Sequence, residues 1–363
     1  MTAVVRAMAF VAASLWLAAP LAAEPAADAG VAWSERITFE GDFRLRHEAI
    51  VEEPGEDRDR QRYRGRFGLS AKLADKVEFG LRLATGDGDP ASTNLDFGES
   101  FSASDIRIDR AYLKWAATDE LELLAGEMKN PFFLAGDTAL MWDSDVDPQG
   151  IAAKFESGPF FGRAGGFLLD YRADGVDSRL YAAQAGVTFD VAGSTVSAGV
   201  GWFDFTDIAN STPLYGDDAK GNSVDIEGRY IYDYDIGEIF AEYESTLGNW
   251  PLTVFAEWTR NTRAAPADTA YSFGASLGKA EKARSAELSW EWRDTEADAL
   301  VAIFTDSNLA NGRTDSSGHV FKGDYMLTDH VSVGATLIFS DYGEFRGEPT
   351  DFDRFMIDVA FGF

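Results

Sequence analysis

Apolar and polar residues alternate along most of the chain. Near its end, Phe355, Ile357, Val359, Phe361 and Phe363 are apolar at every second position, with Arg, Met, Asp, Ala and Gly between them. Because successive side chains of a β-strand point to opposite faces, this period of two predicts a strand with one apolar and one more polar face. The same alternation recurs from residue 37 onward, and no segment follows a continuous helical period.

Two early strands show the pattern well. The first has Phe39 and Phe43 on its predicted outward face, and Arg44 and Arg46 on the inward face. The second, over 62–73, has an arginine at positions 62, 64 and 66 and apolar or glycine residues at the positions between them. Strands of this kind have one face towards an apolar medium and the other towards water.

The connections between the predicted strands alternate in length. Short turns are predicted at 74–76, 118–120, 157–159, 190–194, 247–251, 280–284 and 328–330. Between them are mostly longer polar loops at 50–61, 86–105, 129–149, 173–178, 206–232, 262–269, 294–317 and 342–352. This rhythm predicts an all-β chain of about 16 strands, with short periplasmic turns and longer extracellular loops.

Such a sheet is expected to close on itself. A sheet that faces lipid must leave no edge strand unpaired, so the prediction is a closed antiparallel transmembrane β-barrel. Strands of about ten residues can cross the hydrocarbon core when tilted, and a barrel of about 16 strands encloses an aqueous channel. A soluble sandwich or propeller has alternating strands too, but it does not explain the rhythm of turns and loops.

The first residues read as a signal peptide. Arg6 gives a positive start, residues 7–19 form an apolar stretch, and small residues near Ala22 and Ala23 offer a cleavage site. Pro20 and Glu24 interrupt the stretch before it is long enough to span a membrane as a helix. The predicted organisation is therefore a cleaved signal peptide at 1–23, a short tether at 24–33 and a single barrel at 34–363.

Composition agrees with an exported barrel. The chain has no cysteine, so no disulfide stabilises it, and its 27 Phe, 12 Tyr and 9 Trp suit the aromatic belts of membrane barrels. The net charge of −29 argues against nucleic acid as a partner, since phosphates would repel the protein. The mean hydropathy of −0.19 fits strands that average an apolar and a polar face.

Charged residues on the third loop and on the early strands are the candidate functional residues. If the third loop (129–149) folds into the channel, its acidic side chains would line a constriction: Asp137, Asp143, Asp145 and Asp147. The predicted pore-lining basic residues are Arg44, Arg46, Arg62, Arg64, Arg66, Arg82, Arg107, Arg110 and Lys114. Acid opposite base would set a field across the pore and govern ion preference; the acidic loop favours weak cation selectivity.

Other readings of these residues stay open. The arginines can instead pair with wall carboxylates such as Glu48 and Glu78 and only hold the wall together. Asp143, Asp145 and Asp147 resemble the start of a calcium loop, but Pro148 and Lys154 stand where that loop needs glycine and glutamate. The expectation is no cofactor and no metal, with a structural calcium as the minor alternative.

Catalysis is not expected. His330 falls in a predicted turn, and neither His47 nor His319 stands in a pattern with a serine or an aspartate of the kind that activates a nucleophile. An outer-membrane barrel enzyme remains the alternative from another class, and a closed structural or adhesive barrel is a further one.

Several segments resemble a known family. RYRGRFGLSAKL, FGLRLATGDGDPAST, GEMKNPFF, DVDPQGIAAKF, YDYDIGEIFAEY and TEADALVAIFTDSN are similar to the putative porin family of Gram-negative bacteria. The resemblance covers nearly the whole mature chain. It implies an outer-membrane porin for passive diffusion of small hydrophilic solutes and ions, with a pore narrowed by the third loop, and it implies a homotrimer.

The resemblance also implies partners. A porin lies in the lipid bilayer beside lipopolysaccharide, and the barrel-assembly machinery inserts it; the C-terminal residues Phe361 and Phe363 are the expected insertion signal. It does not name a solute. A substrate-selective channel for an oligosaccharide or an anionic solute is the first alternative.

Overall fold

A computed structural model describes residues 33–98, 100, 102–172, 175–216 and 218–363. The predicted signal peptide at 1–23 and all but the last residue of the tether at 24–33 lie outside the described residues. The strands are β1 Ile37–Glu53, β2 Arg58–Ala74, β3 Val77–Thr85, β4 Leu95–Asp96, β5 Ile106–Ala116, β6 Leu121–Glu127, β7 Gln149–Ser157, β8 Phe160–Asp170, β9 Ser178–Val191, β10 Ser194–Thr206, β11 Tyr234–Leu247, β12 Trp250–Asn261, β13 Thr269–Gly278, β14 Ala286–Thr295, β15 Ser316–Thr328, β16 Val331–Tyr342 and β17 Thr350–Gly362.

Sixteen of these strands form one closed antiparallel wall. Each pairs with its neighbours in sequence, and β1 closes the ring by pairing with β17 from Asp42–Gly362 to Glu53–Asp351. The two-residue β4 only prolongs the ladder of β2 beyond the end of β3, through Arg62–Asp96 and Tyr63–Leu95. The predicted barrel of about 16 strands is confirmed.

The turns and loops also lie where the sequence predicted them, in alternation of short and long connections. All seven predicted short turns and all eight predicted loops overlap a connection between wall strands. The first loop is shorter than predicted, since β1 continues to Glu53 and β2 begins at Arg58. Strand pairing continues there because charged side chains of β1 and β2 form ion pairs across the ladder.

In the described residues, helical structure is limited to short 3₁₀ turns. They span Trp33–Arg36, Ala135–Asp137, Ala302–Phe304 and Leu309–Gly312. None of the helical turns in the described part of the chain has the length or apolar character needed to span a membrane.

The two faces of the wall differ as predicted. Outward residues such as Phe39, Phe43 and Phe67 are exposed, as expected of side chains that meet lipid. The inward faces of β8 to β13 instead pack against loops that fold into the barrel. The apolar core therefore lies inside the barrel, and a second, smaller cluster packs Leu309 and Ala310 against β15 to β17.

Candidate functional site: the charged lumen

One sector of the lumen is lined by arginine. Strand β2 contributes Arg60, Arg62, Arg64 and Arg66 at alternate positions, so their side chains share the inward face about 7 Å apart along the strand. With their neighbours on β17, β1, β3 and β5, these residues form what we call the basic wall. It consists of Arg44, Arg46, Arg60, Arg62, Arg64, Arg66, Arg82, Arg107, Arg110 and Arg354.

The strand register places some of these arginines directly opposite each other. Arg44 faces Arg64 and Arg46 faces Arg62 across the β1–β2 ladder, and Arg82 faces Arg110 across the β3–β5 ladder. Like charges at directly opposed positions of a sheet repel and destabilise the pairing. The basic wall therefore needs anionic partners.

Seven carboxylates supply part of that compensation. Arg46 binds both oxygens of Asp358 at 2.7 Å, and Arg64 donates two hydrogen bonds to Asp42 Oδ2 at 2.9 and 3.0 Å. The carboxylates within ion-pair distance of the basic wall are Asp42, Glu48, Asp96, Asp109, Asp145, Asp147 and Asp358. The alternative interpretation of the sequence, in which the arginines pair with carboxylates of the wall, therefore holds for part of the basic wall.

Two further predicted basic residues have local partners. Lys114 Nζ lies 2.9 Å from Glu78 Oε1, nearer the turn end of the barrel. Arg107 Nη1 donates to the backbone oxygen of Asp89 at 2.7 Å, and its Nη2 lies 3.3 Å from Asp109. Of these two, only Arg107 belongs to the basic wall.

Loop 3, residues 128–148 between β6 and β7, contacts opposite sides of the lumen. In its first half, the backbone N–H of Phe133 donates to Gln184 of β9 at 2.8 Å, and that of Gly136 donates to Glu242 of β11 at 2.5 Å. In its second half, Asp147 accepts a hydrogen bond from Arg82 of β3 at 2.7 Å. The loop therefore runs across the inside of the barrel.

The four predicted loop acids have three different environments. Asp145 binds Arg66 and accepts from the backbone and hydroxyl of Thr93, and Asp147 binds Arg82 and Arg110. Asp143 instead accepts from the backbone N–H and hydroxyl of Ser307, both at 2.9 Å. Asp137 is exposed. Only two of the four acids thus face the basic wall.

The environments shift the acidity of these groups in opposite directions. Burial favours the neutral form of Asp145, but the guanidinium groups of Arg66 and Arg64 outweigh it and lower the pKa of that carboxyl. Burial, together with the nearby carboxylates of Asp306 and Asp145, raises the pKa of Asp143 to about 7. At neutral pH, Asp145 is therefore charged and Asp143 is divided between its two forms.

Loop 3 covers a set of acids on the far wall. Glu238 of β11, Glu257 of β12 and Glu291 of β14 are all less than a tenth exposed. Gln184 bonds both the backbone of Phe133 and the carboxyl of Glu238, and Thr138 donates to Glu291. These three covered acids are thus shielded from the open part of the lumen.

Two other long connections complete the filling of that side. The connection at 207–233 and the one at 296–315 pack against loop 3 through Ile208, Leu300 and Ile303. The side-chain amide of Asn222 holds the two together by donating to the backbone oxygens of Ala297 and Leu300 at 2.8 Å. These two connections and loop 3 therefore occupy the lumen beside β8 to β13.

Several of these functional residues were missed by sequence reasoning. Arg60 and Arg354 lie at inward positions of their strands, and continuing the alternation past the predicted boundaries would have included them. Arg293 of β14 and Asp306 meet inside the barrel, and no local signal in the sequence pairs them. The sequence therefore predicted the inward residues of the early strands. It did not predict the residues that come together only because the loops pack inside the barrel.

The histidines do not assemble a catalytic group in the lumen. His319 lies on the outward face of β15 among Trp290, Trp292 and Phe321. His47 is on the outward face of β1, and His330 is in the turn between β15 and β16. Among the described residues, no group of three or more His, Cys, Asp or Glu side chains is arranged to hold a metal ion.

The tip of loop 3 offers a direct test of its packing. Gly136 has φ +60°, and a Cβ atom there would lie 2.0 Å from the ring of Phe255 on β12. We expect Gly136→Val to add an overpacking cost of about 1–3 kcal/mol to the cost of backbone strain. The displaced tip should move into the open lumen and lower the single-channel conductance.

A matched glycine separates strain from contact. Gly248, in the turn between β11 and β12, has φ +64° and nothing within 4 Å of a Cβ atom. Gly248→Val should show the strain cost in urea unfolding but keep the conductance of the unmodified protein. Equal conductance in the two variants would contradict the packing of loop 3 against β12.

Comparison with solved structures shows similar barrels. OprB of Pseudomonas putida matches with a TM-score of 0.63 at 13% identity, over 91% of this chain and 95% of that one. A variant of the porin of Rhodopseudomonas blastica and a loop-deletion mutant of OmpT of Vibrio cholerae have TM-scores of 0.54 and 0.52, at 14% and 15% identity. Each covers 90% of this chain and 100% of its own. At these identities the likeness establishes the fold alone.

Comparison of sequences identifies the family. No curated protein matches the chain. A family model described as putative porin matches residues 51–232 and 217–363, which together make up most of the chain. Family and fold point to the bacterial outer membrane and indicate a channel rather than an enzyme. The chain belongs to the putative porin family.

Proposed function

We propose that this porin lets small hydrophilic solutes and ions diffuse passively through a water-filled pore narrowed by loop 3. One observation carries the proposal: loop 3 contacts β9 and β11 with one half and the basic wall with the other. A loop fixed at both sides of the lumen reduces the open cross-section without closing it. The open part lies along the basic wall, where arginine side chains keep part of their surface accessible.

Reconstitution tests this function. Purified, heat-modifiable protein in a planar bilayer should give stable conductance steps in KCl, and proteoliposomes should swell in small neutral sugars and more slowly in larger ones. A folded protein that gives no conductance and no swelling would contradict an open channel and favour a closed structural barrel. Both measurements use uncharged or simple solutes, so they do not depend on any particular substrate.

We further propose export by cleavage after the signal peptide at 1–23 and assembly as a homotrimer beside lipopolysaccharide. Support for export comes from the sequence of that segment, and support for the trimer comes from the resemblance to sixteen-stranded porins. Mass spectrometry of the protein from outer membranes should show loss of the first 23 residues. Conductance should appear in steps of three, and a cross-linked trimer should be seen in lipopolysaccharide-containing vesicles.

The C-terminal residues Phe361 and Phe363 are proposed as the signal read by the barrel-assembly machinery. The backbones of Phe363 and Gly41 exchange hydrogen bonds of 3.0 and 3.1 Å, and these bonds do not need the ring. Phe363→Ala should therefore lower the amount of folded protein in outer membranes severalfold while leaving its unfolding in urea nearly unchanged.

An outward phenylalanine elsewhere is the control for that variant. Phe160, at the turn end of β8, is 60% exposed, and the ring of Phe363 is 71% exposed. Phe160→Ala should leave the outer-membrane level, measured by heat-modifiable gel shift, close to that of the unmodified protein. Equal losses for the two variants would mean that any exposed aromatic matters and that residue 363 has no special role.

A further inference from the structure

We infer that the channel prefers anions and binds a small oxyanion or dicarboxylate at Arg44, between Arg64 and Arg46. This inference rests on the proposed function, since it requires an open pore. It names the class of solute that the pore would favour. The net charge of the chain, −29, gives the opposite expectation, but the ion preference of a pore is set by the charges that line it.

Arg44 and Arg354 have the weakest anionic partners in the basic wall, and of these two only Arg44 has a side chain that is more than a tenth exposed. Its Nη2 donates at 2.6 Å to the neutral side-chain oxygen of Asn94, and the closest carboxylate contact is 3.8 Å, to Asp358. That same carboxylate is bound in a bidentate way by Arg46. Arg44 therefore shares a carboxylate that another guanidinium already engages.

The neighbours of Arg44 add to its unbalanced charge. Arg64 stands directly opposite on β2, and both of its hydrogen bonds go to a single oxygen of Asp42. By contrast, the opposed pair Arg82 and Arg110 shares Asp147, at 2.7 and 2.8 Å, which relieves the repulsion between them. Within the part of the chain that the structure describes, no carboxylate is at ion-pair distance from both Arg44 and Arg64, and a bound anion would take that role.

The charge balance of the whole basic wall points the same way. Among the described residues, its ten arginines have seven carboxylates within ion-pair distance, which leaves an excess of three positive charges in that part of the chain. Arg44, Arg62 and Arg64 keep 14–16% of their side-chain surface accessible. A solute in the open lumen would meet these groups directly.

The acids that would offset this field are largely covered. Glu238 and Glu257 are each 4% exposed beneath loop 3, and Asp145 and Asp147 are held in ion pairs with the wall. Charges elsewhere on the protein are screened beyond about 8 Å at physiological salt. The sequence favoured weak cation selectivity because of the acidic residues of loop 3. Where loop 3 meets the lumen, the arginines of the basic wall neutralise the charges of Asp145 and Asp147.

The chemistry of guanidinium selects the ligand class. Its planar donors match the paired oxygens of carboxylates and phosphates. Two opposed arginines suit an anion with two or more charges better than chloride, because such an anion can contact both groups. Inorganic phosphate and succinate are therefore the probes, and chloride and a neutral sugar are the references.

The experiment measures selectivity and block in planar bilayers. A KCl gradient should give a reversal potential showing greater permeability for chloride than for potassium. Phosphate or succinate added at constant ionic strength should reduce the chloride current with a saturable dependence. Arg44→Gln with Arg64→Gln should weaken that block at least about tenfold, since a hydrogen bond to a charged group contributes about 1.5–3 kcal/mol.

An arginine of another lumen sector is the matched control. Arg163 of β8 already binds Glu156 at 2.6 Å, and Arg163→Gln removes one positive charge, as Arg44→Gln does when it is made alone. This variant should keep the block by phosphate and succinate, which shows that the effect belongs to the basic wall rather than to net charge.

The outcomes separate this inference from the proposed function. An open channel that prefers potassium, or whose chloride current ignores both phosphate and succinate, would overturn the anion site and leave the porin function intact. A folded protein without conductance would overturn both. Swelling of proteoliposomes in neutral sugars, measured in parallel, distinguishes these two cases, because it requires an open pore but no anion site.

Discussion

Replacing Arg293 by methionine is expected to lower the free energy of unfolding by about 3–5 kcal/mol, because it leaves buried carboxylates without their counter-charge. Arg293 is 2% exposed on the inward face of β14. Its Nε and Nη2 donate to the two oxygens of Glu291 at 2.6 and 2.7 Å, and its Nη1 donates to Asp306. Methionine keeps a similar length but cannot balance either charge.

The position of Arg293 explains why the effect should reach beyond one ion pair. Glu291 accepts a hydrogen bond from Thr138 of loop 3, and Asp306 belongs to the connection at 296–315. Burial raises the pKa of Asp306, but Arg293 more than offsets this and holds the pKa at about 2. Without Arg293, the connection at 296–315 loses its ion pair with β14, and loop 3 stays bonded to a Glu291 carboxylate that has lost its counter-charge. Altered conductance should therefore accompany the loss of stability.

A surface arginine provides the control. Arg260 of β12 forms an ion pair with Asp268 at 3.0 Å, but its side chain is 55% exposed. Exposed pairs contribute about 0–1 kcal/mol, so Arg260→Met should change unfolding in urea only slightly. Tryptophan fluorescence in detergent or lipid vesicles can follow both variants.

Two results would contradict the role of Arg293. One is an unfolding free energy for Arg293→Met close to that of Arg260→Met. The other concerns the double variant Arg293→Met with Glu291→Met, in which the unpaired carboxylate is removed as well. That variant should recover part of the lost stability, because replacing both members of a buried pair is far less costly than breaking it.

The alternation of residue types was sufficient to predict the barrel wall. Each inward or outward assignment depends only on parity within a strand, so the faces of Phe39 and Arg44 follow from local sequence alone. Antiparallel neighbours joined by short turns then fix the register, and the register brings Arg44 beside Arg64. Most of the basic wall was therefore predictable from positions in the sequence. Arg107 and Arg110 are three residues apart and share the inward face only because the β3–β5 register shifts between Arg82 and Leu83.

The path of loop 3 was not predictable in the same way. Asp143 and Asp145 are two residues apart, yet one binds Ser307 and the other binds Arg66. No periodic rule governs an irregular segment, and its course depends on contacts with Gln184, Glu242 and the connection at 296–315. Those contacts join residues far apart in sequence. The sequence alone therefore identified the acidic residues of loop 3, but not the side chains that they bind.

Replacing Asp145 and Asp147 together by asparagine is expected to increase anion selectivity and loosen loop 3. The change removes two negative charges that neutralise Arg66, Arg82 and Arg110, so the open lumen becomes more positive. Each lost hydrogen bond between charged groups weakens the attachment by about 1.5–3 kcal/mol. The reversal potential in a KCl gradient should shift towards chloride, and the open-channel current should become noisier.

Asp143 in the same loop is the control, because its carboxyl becomes neutral at a higher pH than the carboxyl of Asp145 does. Because burial beside Asp306 and Asp145 raises its pKa to about 7, Asp143 becomes neutral as the pH falls below that value, as asparagine always is. At pH 5.5, Asp143→Asn should leave the reversal potential unchanged, while the Asp145 and Asp147 variant still shifts it through Asp145, whose pKa is lowered. Burial raises the pKa of Asp147 to about 6, so Asp147 contributes less to the shift at this pH. Above about pH 8.5, where Asp143 is charged as well, equal shifts per charge removed in the two variants would mean that net loop charge governs selectivity rather than contact with the basic wall. No shift in either variant would remove loop 3 from the selectivity of this porin.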